Sequence, residues 1–116
     1  MTVEKRGRER IDFSITVVLE TPDNRTYLYD CKNVSMSGFF LHTESPLPIG
    51  TACVFTLTME SGAEQLLVKG ESTVVRHVIA DPAEGHGMGI HISSMDPDSS
   101  INLYNIIKYQ QIFDDY

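Results

Sequence analysis

Apolar side chains recur at every second residue of this chain, in short runs cut by glycine and proline. No other feature restricts its fold as tightly. Phe13, Ile15, Val17 and Leu19 fall on one face of the segment 13–20, the period-two pattern of a half-buried strand. Thr21-Pro22-Asp23-Asn24 is a turn by composition. A second strand, rich in aromatics, is predicted over 26–32; small polar residues interrupt it at 33–38, and a third resumes over 39–43. Pro46 and Pro48 mark a loop, since neither can sit in a central ladder.

A fourth strand over 52–60 places Cys53, Phe55, Leu57 and Met59 on one face, and Ser61-Gly62 is a hairpin-turn candidate. Residues 65–78 read as a fifth strand bent at Gly70, because a glycine inside a strand marks a bulge or a barrel corner. Residues 81–85 turn the chain, and 87–92 form the sixth strand. Six short strands with this punctuation predict a mainly β fold, a six-stranded antiparallel β-barrel. The period then changes. Asp96 is suited to an N-cap, Pro97 to the first helical position and Asp98 to the positive end of the helix dipole. Ile101, Tyr104, Ile107 and Lys108 carry helical spacing, which predicts a C-terminal α-helix over about 97–113 packed across the barrel. The expected organisation is one domain: a flexible basic arm over 1–12, a barrel over 13–95 and a helical segment over 96–116.

A chain of 116 residues can bury a real core without metals or disulfides. No apolar run approaches the roughly 18 residues needed to span a bilayer, so no membrane insertion is expected. The N-terminus has no apolar stretch of the secretory type, and a cytoplasmic location is expected. Cys31 and Cys53 lack metal-type spacing and read as buried or half-buried thiols in a reducing compartment. His42, His77, His86 and His91 show no ligand spacing either, so no metal and no cofactor is expected.

Charge is distributed unevenly. Lys5, Arg6, Arg8 and Arg10 sit beside only Glu4 and Glu9, giving the first ten residues +2; the whole chain is −7, which leaves −9 on the rest. A cationic arm on an acidic body points to a local anion site. The acidic body also argues against long nucleic acids, which are held by many Lys/Arg–phosphate contacts. Four clustered cations suit a small anion with few phosphates.

Two separated motifs carry the chemistry. Arg6-Gly7-Arg8-Glu9-Arg10 has the form RxxxR, and Asn33-Val34-Ser35-Met36-Ser37-Gly38 fits (Asp/Asn)-x-Ser-x-x-Gly, about 23 residues further on. Gly87-Met88-Gly89-Ile90-His91-Ile92 adds a Gly-x-Gly-aliphatic strand. Each is short and weak alone. Their order, spacing and placement against predicted strands make the set specific, and it resembles the PilZ domain family of bacterial cyclic di-GMP receptors. The resemblance covers the chain from about Lys5 to the final helix.

The resemblance implies that the ligand is cyclic di-GMP, with Arg6, Arg10, Asn33, Ser35 and Gly38 as contact residues and Lys5 and Arg8 as accessory cations. The chemistry agrees. An arginine fork matches the paired O6 and N7 acceptors of guanine, binds phosphate and stacks on purines. An amide and a hydroxyl at a strand break can reach a guanine edge, and Gly38 would supply positive φ or close backbone approach. Asn33 stands where many members carry aspartate, which changes the donors offered there. The resemblance also implies that the residue before the first arginine, here Lys5, bears on whether one ligand or a stacked pair is held, and lysine there leaves that number open.

A polar arm that orders on binding would alter the surface offered to a downstream protein effector. The family analogy implies motility or exopolysaccharide regulation as the output. The expected function is thus a second-messenger receptor and not an enzyme, since no nucleophile elbow or other catalytic signature occurs. Two alternatives follow from the same residues: a PilZ-like adaptor that works through protein contacts without ligand, and a small nucleic-acid-binding barrel, which would need a basic aromatic groove.

Overall fold

The computed structural model describes residues 14–82 and 85–114. Its strands are β1 (Ser14–Glu20), β2 (Thr26–Ser35), β3 (Gly38–His42), β4 (Ala52–Ser61), β5 (Glu64–Asp81) and β6 (Gly85–Met95), followed by one helix, α1 (Pro97–Asp114). The strands close into an antiparallel barrel in the order β1-β2-β3-β6-β5-β4. The expected barrel with a C-terminal helix is what forms. Phe13 and the basic arm, with Lys5, Arg6, Arg8 and Arg10, lie outside the described residues.

Period-two burial drives the closure. Ile15, Val17 and Leu19 of β1 and Cys53, Phe55, Leu57 and Met59 of β4 all point inward. Phe39 of β3 meets Phe55 edge-on across the core, with ring centroids 5.3 Å apart. Leu103 and Ile106 of α1 are fully buried in the same cluster. Barrel closure leaves no open edge where strands are paired on both sides.

β5 is longer than any other strand and serves two partners. It pairs with β4 from Glu64 to Thr73, and with β6 from Gly70 onward. Gly70 therefore marks the hand-over, and a β-carbon there would stand 2.9 Å from Phe55 Cε1 and overlap Ser94 O. Close packing accounts for this glycine, and a register shift follows directly, between Glu71 and Ser72.

Before Gly70 the second edge of β5 has no strand partner among the described residues, and α1 covers it. Lys69 N–H donates to Ser99 Oγ at 2.9 Å, and Asn102 Nδ2 donates to Leu67 O at 2.8 Å. Side chains of the helix thus satisfy strand groups that would otherwise lie paired to nothing beneath it. The helix starts as expected: Ser99 N–H donates to Asp96 Oδ2 at 3.2 Å, closing the N-cap. These bonds also hold the Asp96 carboxyl below its usual range, Ser99 contributing most.

Two register shifts change which side chains face outward. On β2, Tyr29 and Cys31 face the interior, and strict alternation would send Asn33 and Ser35 inward after them. Pairing with β3 instead runs Cys31↔Leu41 and then Asn33↔Phe40, so Lys32 is an extra residue. The bulge resets the phase. Val34 is buried, while Asn33 and Ser35 are exposed. On β5, Val74↔Ile90 is followed by Arg76↔Gly89, which makes Val75 the extra residue of a second bulge.

Candidate functional site

The predicted break at 33–38 is a β-hairpin. β2 continues through Ser35, Met36 and Ser37 make the turn, and β3 starts at Gly38, with Ser35 and Gly38 as the last cross-strand pair. The Ser35 hydroxyl organises this turn. It donates to Gly38 O at 3.3 Å, accepts from Ser37 N–H at 3.3 Å and lies 3.2 Å from Ser37 Oγ. Ser37 O accepts from Ile92 N–H at 2.8 Å, so the turn is also tied to β6.

Gly38 has a reason other than the expected positive φ. Its φ is not among the positive values found in the chain. A β-carbon there would overlap the carbonyl oxygen of Ile90 and sit 3.1 Å from its carbon. The glycine lets β3 press against the β6 backbone. Close backbone approach holds, toward a neighbouring strand.

The hairpin forms one wall of an open groove of about 370 Å³ on the outside of the barrel. Cross-strand pairing sets its outward rows. One runs Ser35, Gly38, His91; the next runs Asn33, Phe40, Gly89, Arg76. Asn33, Ser35 and Gly38, which sequence reasoning singled out, are brought together here. Phe40, Arg76 and His91 were missed and also line the groove. Gly87-x-Gly89 was the available signal, since a β-carbon on Gly87 would run into the Phe40 ring and one on Gly89 into the Arg76 stem.

Among the described residues, no carboxylate lines this groove. A larger cavity of about 550 Å³ opens beside the β1–β2 turn, lined by Thr21 and Asn24 and by the carboxylates Glu20 and Glu71, without a cation. Those two carboxylates would repel a phosphate.

The entry to β1 lies at the same end of the sheet. Thr16 pairs with Asp30 as the last rung of the antiparallel ladder, so the start of β1 lies toward the stretch of β2 that leads into Asn33. The back of the hairpin meets the helix, where Gln110 Nε2 donates to Val34 O at 3.5 Å. Among the described residues, no group of three or more His, Cys, Asp or Glu side chains could hold a metal ion. No helix among them is long and apolar enough to cross a membrane.

The family profile of the PilZ domain matches residues 4–109. The chain belongs to the PilZ domain family. Among solved structures, this PilZ domain is similar to the PilZ domain with c-di-GMP of YcgR from Escherichia coli. The TM-score is 0.62 at 13% identity, over 90% of this chain and 92% of that one, a likeness of fold. No curated protein gives a significant match. PilZ domains are non-catalytic receptors, and no catalytic step is assigned to the groove.

Proposed function

We propose that this PilZ domain is a cyclic di-GMP receptor. Its ligand lies in the groove beside the Asn33–Gly38 hairpin and is gripped by Arg6 and Arg10, with Lys5 and Arg8 as accessory cations. The observation that carries this reading is the position of β1. The β1–β2 ladder ends at Thr16 and Asp30, three residues before Asn33 on β2, and Arg10 precedes Ser14, the first residue of β1, by four residues. Four extended residues reach roughly 13–14 Å at most, enough to bring a guanidinium over a groove that begins at the neighbouring strand.

The chemistry of each wall suits the ligand. Asn33 and Ser35 face outward with an amide and a hydroxyl that can pair a guanine edge. Two arginines supply forks for O6/N7 and for phosphate. Among the described residues, no carboxylate of the groove opposes the phosphates. A PilZ domain of like fold has been solved with the same ligand.

Signal output passes to a protein partner in the cytoplasm, by ordering of the arm over 1–12. The Val34–Gln110 contact gives the hairpin a second route, through α1. Ordering costs about 1–2 kcal/mol per residue fixed, and charge-assisted contacts must exceed it.

Calorimetric titration with cyclic di-GMP, with GTP and single-stranded DNA as controls, tests the reading. Saturable binding of cyclic di-GMP alone is expected. Arg6→Ala and Arg10→Ala should each weaken it by roughly 1.5–3 kcal/mol. Wild-type affinity in both variants would refute the grip. Absence of any binding would favour the protein-contact adaptor.

A further inference from the structure

We propose that Arg76 is a third arginine of the nucleotide groove, contacting the bound purine dinucleotide from the barrel side through its guanidinium. The inference rests on the receptor reading above and deepens it. Three features of the fold converge on this side chain.

Strand parity comes first. On β5, Val68, Ser72 and Val74 are buried, so unbroken alternation would turn Arg76 into the core. A guanidinium placed there without a partner is strongly disfavoured. The extra residue Val75 breaks the alternation and delivers Arg76 to the outside, opposite Gly89. Bulges of this kind re-aim side chains at functional sites. The matching bulge at Lys32 turns Asn33 and Ser35 onto the same outer face.

A built bed is the second feature. A β-carbon at Gly89 would stand 2.9 Å from Arg76 Cγ and 3.0 Å from Nε. Bare backbone at this position lets the arginine stem lie along β6. Third, Arg76 Cζ lies over the Phe40 ring, 5.5 Å from its centroid. His42 supports the same ring edge-on, with centroids 5.0 Å apart. Arg76 is nevertheless exposed and lines the groove with Asn33 and Ser35.

The arrangement suits a nucleotide. A guanidinium backed by an aromatic ring can stack on a purine or donate its fork to O6/N7 or a phosphate. Its stem already rests against Gly89 and Phe40, so binding immobilises fewer rotors than it would for a free arginine. The groove then has cationic groups on two sides, one from the chain preceding β1 and one from β5.

Cyclic di-GMP is titrated into wild type, Arg76→Ala and Arg76→Met, and each variant is also melted. Methionine keeps an unbranched stem over Gly89 and Phe40 but removes the guanidinium. Both variants should bind at least about tenfold more weakly, with melting temperatures close to wild type. If Arg76→Ala does not fold, Arg76→Met decides alone. Wild-type binding with unchanged affinity in Arg76→Met overturns the role of Arg76 and leaves the receptor reading intact. Failure of wild type to bind overturns both.

Discussion

Replacing Gly38 by alanine separates the two reasons a motif glycine can have. The new β-carbon would overlap Ile90 O and lie 3.1 Å from Ile90 C and 3.4 Å from His91 Cα. All three are backbone atoms of a paired strand, so no flexible side chain can yield. Relief requires the tip of β3 to lift from β6 by about 1 Å, the scale on which a packed contact is lost. That motion strains the Gly38–His91 pair and the bond from Ile92 N–H to Ser37 O. Two or three weakened hydrogen bonds, at about 0.5–1.5 kcal/mol each, amount to roughly 2–3 kcal/mol. For a domain of this size that lowers Tm by roughly 10–15 °C. Asn33 and Ser35 share the displaced hairpin, so cyclic di-GMP binding should weaken as well.

Circular-dichroism melting and calorimetry read both effects. Gly62→Ala is the contrasting variant: Gly62 has φ of +61° with no atom within 4 Å of a β-carbon, so its cost is conformational only, about 1 kcal/mol. A Gly38→Ala protein that melts within about 2 °C of wild type would refute the packing argument. A fall no larger than that of Gly62→Ala would do the same.

Deleting Lys32 removes the bulge that sets the phase of β2. Cyclic di-GMP binding should be abolished and Tm lowered, whereas Lys32→Ala, which keeps the extra residue, should fold as wild type; a deletion variant with normal affinity would count against the phase argument. Burial pushes the Cys31 thiol from 9.0 up to about 12. The unfolded chain therefore releases this proton first as pH rises, so the stabilising effect is complete below about pH 9 and is lost between about 9 and 12. Denaturant midpoints at pH 8 and pH 10.5 should fall further in wild type than in Cys31→Ala, and equal falls would show that Cys31 is not the group responsible.

Much of the architecture could be read from residue order. Alternating Ile15, Val17 and Leu19 need no partner to declare a strand, because the pleat alone places them on one face. Asp96-Pro97 announces the helix start through local bonding, and Ser99 N–H on Asp96 confirms it. RxxxR and Asn33-x-Ser35-x-x-Gly38 were legible as a pattern in the chain, and both fall within the residues the family profile matches.

Tertiary structure decided what each of those residues faces. A bulge is a property of two paired strands: Lys32 and Val75 are extra only relative to β3 and β6. Nothing local to VVRHV distinguishes an outward Arg76 from an inward one, and parity counted from Val74 gives the wrong answer. The reason for Gly38 lies likewise in Ile90, more than fifty residues away in the chain. Local periodicity determines which segments become strands, since backbone geometry repeats every two residues. Cross-strand register determines which side chains meet in the groove, since it depends on contacts made only once the barrel has closed.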